Sequence, residues 1–263
     1  MPSRQHIEPN AGGFRRLSYT CRAGWIDWNH AGGMAQPLKN HVVDGSGLPA
    51  FNVTLEGRRA GLVEFGMSQG GGISGVHYHY VFPLSLSHAD REAAALGMFL
   101  DASVGFERMQ ASFPWALIRR SRESSFSGED LISNVVGFFA VMRGYTQNQM
   151  RGLLDEKSVE ETYAIWDAQF GRQGSFSITN TTVTPVRYAG DNCVGRTLPG
   201  TFNSIVPTVN GSTWARLKTN LSHHYQHTDE PVDVGRDGGV KVIPPSAARR
   251  LGLDWGLRNS HTW

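Results

Sequence analysis

The chain is poor in cysteine, in long apolar runs and in net charge. Cys21 and Cys193 are the only two cysteines among 263 residues. A single pair permits one disulfide without establishing it. The default expectation is two reduced, partly buried thiols. No apolar run reaches the ~20 residues of a membrane-spanning helix. The longest, Val135 to Met142, has the length of a core helix. The opening residues Met1-Pro2-Ser3-Arg4-Gln5-His6 lack the apolar segment of a secretory signal. Any export is therefore expected to use a route without a cleaved Sec signal. The formal net charge is only +2 and there is no polybasic arm. Nucleic-acid binding thus has no electrostatic footprint.

What is present is a globular composition, 40% hydrophobic and 18% charged, with aromatic residues spread along the chain, which argues against long disorder. Residues 1–50 read as loop punctuated by Gly12-Gly13, Gly32-Gly33 and Gly45-Ser46-Gly47. Strands are expected at Phe51–Leu55, Ala60–Met67 and Val76–Pro83, with Gly70-Gly71-Gly72 as a break. Helices follow. Ser87 and Asp90 cap Arg91 to about Ser112, which Pro114 closes. Ser127 and Asp130 repeat that spacing before Leu131–Gly144. Thr146 opens a helix to about Leu154, and Ser158 with Glu161 opens another to Gly171. Ser175–Tyr188 reads as strand or extended loop, 189–242 as irregular, and Ser246 caps a short last helix through Leu251. The expectation is an α+β fold. A layer of about four helices packs on a small antiparallel sheet, with an irregular, β-rich C-terminal third. One domain, 1–263, is expected, with a sub-boundary near 172 between a core bearing the site (1–172) and a wrapping region (173–263).

Several polar residues sit where apolar ones are expected. Leu96, Leu100, Val104 and Glu107 follow one helical stripe, since eleven residues make about three turns. A carboxylate there is desolvated and suited to general acid or base work. The alternative is a Glu paired with a nearby arginine. Asp130, Asn134, Gly137 and Val141 share another helical face. Asp130 also fits a capping role, whereas Asn134 stands among Leu131, Val135 and Phe138. His77 and His79 point to the same side of a strand, as a zinc site requires. The segment Gly75–Val81 resembles the His-x-His strand of lysostaphin-like zinc peptidases. Their upstream His-x-x-x-Asp is missing, because Ala23 stands four residues before Asp27. A cysteine hydrolase would use Cys21 beside Arg22. His223-His224-Tyr225-Gln226-His227 reads as a solvated cluster.

The stretch Ala23-Gly24-Trp25-Ile26-Asp27-Trp28-Asn29-His30 mixes a carboxylate, an amide and an imidazole with large apolar side chains. It resembles the Ala-Gly-Phe-Ile-Asp-x-x-His block of an uncharacterised family of bacterial envelope-associated proteins. Phe126-Ser127-Gly128-Glu129-Asp130-Leu131-Ile132-Ser133-Asn134, with Gly137, is similar to that family's Ser-x-Glu-Asp-Leu-x-Ser-Asn-x-x-Gly block. The likeness covers about residues 19–144. It implies that Asp27, His30, Glu107, Glu129, Asp130 and Asn134 form one constellation. Many members of that family look like secreted lipoproteins, a feature without counterpart here.

These observations lead to an expected hydrolase of a bacterial cell-envelope polymer, peptidoglycan above all, working without a cofactor. Glu107 would be the general acid or base and His30 would be oriented by Asp27. Glu129, Asp130 and Asn134 would position substrate, with Trp25 and Trp28 beside them. Delivery as an antibacterial effector would add a secretion machine or an immunity protein as partner. One alternative is a zinc peptidase or amidase built on His77 and His79. Another is a non-catalytic carbohydrate-binding protein whose Trp25 and Trp28 stack on sugar rings.

Overall fold

Two short antiparallel strands, β1 (Leu17–Thr20) and β2 (Gly24–Asp27), pair in register from Leu17 opposite Asp27 to Thr20 opposite Gly24. This hairpin lies within the stretch expected to be loop. Every residue of both strands is buried. The computed structural model describes residues 2–30, 34–46, 62–71, 74–83, 85–111, 127–174, 176, 178, 180, 182–216, 219–220, 226–227, 232–234 and 240–242. The expected strand at 51–55, the helix at 246–251 and most of the 223–227 histidine cluster lie outside those residues.

The fold is α+β. The chain divides into two compact units, Met1–Gln36 with Gln110–Ser204, and Pro37–Met109 with Ile205–Trp263. The second unit holds strands β3 (Leu62–Gly71) and β4 (Ser74–Pro83) and all but the last two residues of helix α1 (His88–Ala111). The first unit adds helices α2 (Asp130–Arg143), α3 (Gln147–Leu153) and α4 (Val159–Phe170) to the hairpin.

Helix ends in the first unit follow local chemistry. The Thr146 and Ser158 hydroxyls accept from the Gln149 and Glu161 backbone N–H groups, and the side chains of 149 and 161 reach back, completing two capping boxes. Gly144 ends α2 at φ +70°, a left-handed conformation that glycine adopts without penalty. The expected Ser127 cap does not form. Glu129 occupies the cap position without a side-chain cap bond, and the Ser127 hydroxyl donates to the Glu129 carboxylate instead. Ile7, Leu17, Tyr19, Trp25, Ile165, Trp166 and Phe176 form the core of this unit. The Trp25 ring meets Tyr19, Trp166 and Phe176 edge to face.

The two cysteines are joined. Cys21, in the turn between β1 and β2, forms a disulfide with Cys193. This corrects the expectation of reduced thiols and removes Cys21 as a nucleophile. The Arg187 guanidinium donates to the carbonyls of both Cys21 and Cys193, which clamps the backbone on either side of the bridge.

In the second unit β3, β4 and β5 (Ala215–Arg216) form one antiparallel sheet in that order. Ser87 caps α1 through the Asp90 N–H, as expected. The Tyr80 hydroxyl donates to Asp101 on α1, and Arg216 on β5 pairs with the same carboxylate at 3.0 Å. After β5 the described residues form short strand pairs, 219–220 with 226–227 and 232–234 with 240–242. Among the described residues no helix is long and apolar enough to cross a membrane.

Candidate functional site

Strand β2 and the first turn of α2 bring one polar cluster together inside the first unit. Asp27 ends β2 and is fully buried. A buried carboxylate needs a partner. Arg16, just before β1, supplies it: Nε lies 3.0 Å and Nη2 2.8 Å from Asp27 Oδ2. Asp27 Oδ1 accepts from the Asn29 N–H at 3.0 Å, which turns the chain toward His30. The Asp27 N–H donates to Ser133 Oγ at 2.9 Å, and that hydroxyl donates to the Glu129 carbonyl at 2.6 Å. Ser133 thereby ties the end of β2 to the start of α2.

His30 follows on the turn. Its N–H donates to the Asp27 carbonyl at 3.1 Å, and its Nδ1 lies 3.5 Å from Asp130 Oδ1. The carboxylate beside the imidazole is therefore that of Asp130. Asp27 was expected in that role, but its oxygens are taken up by Arg16 and the Asn29 N–H. A third of the His30 side chain is exposed, against 5% for Asp130. Burial holds the imidazole pKa below its ordinary value; the Asp27 charge opposes this and the Arg16 charge adds to it.

Glu129 is wholly buried, and both its carboxylate oxygens accept from the Ser127 hydroxyl, at 2.9 and 2.7 Å. Burial pushes this carboxyl up to about 7, with the negative charge of Asp27 adding to the effect. One guanidinium, that of Arg16, faces the charges of Asp27, Glu129 and Asp130 together. Asn134 lies one turn beyond Asp130. It is 4% exposed, and its Nδ2 is buried without a partner among the described residues. Five of the six residues expected to gather, Asp27, His30, Glu129, Asp130 and Asn134, thus belong to one unit and to two joined elements. Arg16, Ser127 and Ser133 complete the cluster.

The sixth, Glu107, lies on α1 in the second unit and is 2% exposed, as its helical stripe predicts. His77 and His79 stand on β4, opposite Ser68 and Gly66 of β3. Their side chains lie outside the described set. Among the described residues no group of three or more His, Cys, Asp or Glu is arranged to hold a metal ion.

Trp25 and Trp28 are not stacking platforms. Sugar stacking needs an exposed ring face, and these rings are 0% and 3% exposed. Trp25 fills the core. Trp28 donates from Nε1 to Ser18 Oγ at 2.7 Å, and the Arg151 guanidinium covers its ring at 4.4 Å.

Comparison with protein-family models, with curated proteins and with solved structures gave no match.

Proposed function

We propose that the first unit carries the acid–base centre of a hydrolase, and that its substrate is a polymer of the bacterial cell envelope, peptidoglycan in the first instance. The observation that carries this reading is the His30–Asp130 pair: an imidazole one-third exposed, held beside a buried carboxylate at 3.5 Å. A histidine with a lowered pKa is neutral at neutral pH and free to accept a proton. Its exposed edge takes that proton from water as the water oxygen attacks the scissile bond, and the imidazolium returns the proton to the leaving group as that bond breaks. The Asp130 carboxylate stabilises the imidazolium that forms and fixes the ring's orientation. Asn134 Nδ2 is a buried donor without a partner among the described residues, and in this reading it is taken up by a polar substrate group. Glu129 has no exposed surface, so it does not touch the substrate.

The substrate class rests on the likeness of the two sequence blocks to the envelope-associated family. Those blocks supply the clustered residues. The Cys21–Cys193 bridge supports it too, since such bonds persist in oxidising compartments outside the cytoplasm. Delivery as an antibacterial effector belongs to the same reading. The carbohydrate-binding alternative loses its main support with the burial of both tryptophans.

The test is incubation with purified peptidoglycan and mass analysis of the soluble fragments. The wild-type protein is expected to release them, and the new chain ends identify the bond cleaved. His30→Ala is expected to lose about 10²–10⁴-fold in turnover while keeping its circular dichroism spectrum. Asp130→Asn should lower kcat more than it changes KM. Glu107→Gln tests the second candidate acid separately. No released product, or full turnover by His30→Ala, overturns the proposal.

A further inference from the structure

The residue next to Arg16 belongs to a second feature of the first unit. An open groove of about 880 Å³ is lined by Pro9, Gly12, Gly13 and Phe14 on one side, and by the start of α3 and the α3–α4 connection on the other. Three cations line it, Arg15, Arg151 and Lys157, against two carboxylates, Glu156 and Glu161.

The two arginines are unusually placed for a surface groove. Their side chains are only 8% and 12% exposed. Both rest on one carboxylate: Arg15 Nη2 lies 2.7 Å from Glu156 Oε1, and Arg151 Nη1 bonds to the same oxygen. Lys157 is matched separately by Glu161 at 2.9 Å. Two buried guanidiniums sharing one carboxylate leave one positive charge uncompensated, and removing unmatched charge from water is costly. Arg15 Nη2 also donates to the Lys157 carbonyl at 2.8 Å, whereas its Nη1 is buried without a partner among the described residues. An orphaned guanidinium N–H calls for an acceptor.

We propose that this groove binds a carboxylate group of a larger molecule, with Arg15 and Arg151 as its anchors. One unmatched positive charge suits a monoanion, whereas a phosphate dianion would meet Glu156 and Glu161 with excess negative charge. The volume far exceeds that of a free ion, so the carboxylate is one end of a peptide or sugar acid. The backbone joins this groove to the His30 cluster. Arg15 faces Glu156 while the adjacent Arg16 faces Asp27, and Trp28, whose ring lies under Arg151, donates its backbone N–H to the Arg16 carbonyl at 2.8 Å. The proposal stands whether or not the cluster is hydrolytic.

Amide chemical-shift titration of the intact protein tests it. The probes are acetyl-Ala-Ala, the same peptide as its C-terminal amide, and inorganic phosphate, each at millimolar concentration. The acid is expected to shift the amides of Gly12, Gly13, Asn148 and Lys157 saturably, and the amide form to bind at least ten-fold more weakly. Arg15→Gln should abolish the response, while Arg172→Gln, which alters an exposed arginine, should not. Equal binding of acid and amide, tighter binding of phosphate, or no saturable shift in the wild-type protein overturns the proposal. The wild-type comparison decides the matter even if Arg15→Gln fails to fold.

Discussion

Glu129 is the residue whose ionisation says most about the first unit. Its carboxyl titrates at about 7 in the folded chain, against an ordinary value of 4.5. The folded state therefore holds a proton that the unfolded state has lost between those two pH values. Stability falls as pH rises across that window and levels off above it, by up to about 3 kcal/mol. His30 works the other way: its lowered pKa contributes stability above 6.5 that is lost as pH falls. Glu129→Gln is expected to remove only the first effect. Its urea midpoint should exceed the wild-type value at pH 8 and converge on it near pH 4.5; a wild-type pH slope in the variant would refute the assignment. Asp27, His30, Asp130 and Asn134 were legible as candidates because each is a polar residue in an apolar block. Arg16 was not, because its partnership with Asp27 depends on the antiparallel register. Trp25 and Trp28 misled because an aromatic residue reads the same in a core as on a sugar platform.

Among the elements, the β1–β2 hairpin sets the geometry of the cluster, and Gly24 sets the hairpin. Its φ is +68°, and a Cβ there would stand 2.1 Å from the Val186 carbonyl oxygen. Gly24→Ala meets both a strained backbone and a clash with main chain that has no free rotor. A loss of about 2 kcal/mol or more is expected, read as a lower urea midpoint with unchanged slope. The hairpin escaped the sequence because its strands are only four residues each. Alternation of apolar and polar residues, the signal of a half-buried strand, lasts just four residues in β1 (Leu17-Ser18-Tyr19-Thr20) and is absent from β2 (Gly24-Trp25-Ile26-Asp27). Helices were more legible because capping is local chemistry: Ser87, Thr146 and Ser158 all bond as their spacing predicts. Ser127 has the same spacing and fails, because a buried carboxylate two residues on competes for its hydroxyl.

On the scale of the whole molecule, each unit is assembled from two separated stretches of chain. Composition along a sequence reports contiguous segments, so an arrangement of this kind leaves no signature in it. The disulfide links positions 172 residues apart within the first unit. Closing so long a loop restricts the unfolded chain, a contribution of about 2–5 kcal/mol. Cys21→Ser with Cys193→Ser is expected to lower the thermal midpoint by several degrees, and dithiothreitol to do the same to the wild type. A midpoint indifferent to both would mean that the bond contributes little.

That bond also encloses more than its own unit. Residues 37–109, the first stretch of the second unit, lie between Cys21 and Cys193 in the chain, whereas 205–263 lie outside. A protease that nicks the chain once anywhere in the enclosed span therefore opens a ring without releasing a fragment. Until a thiol reduces the bond the pieces remain covalently joined, so a cleaved molecule in an oxidising compartment keeps its mass.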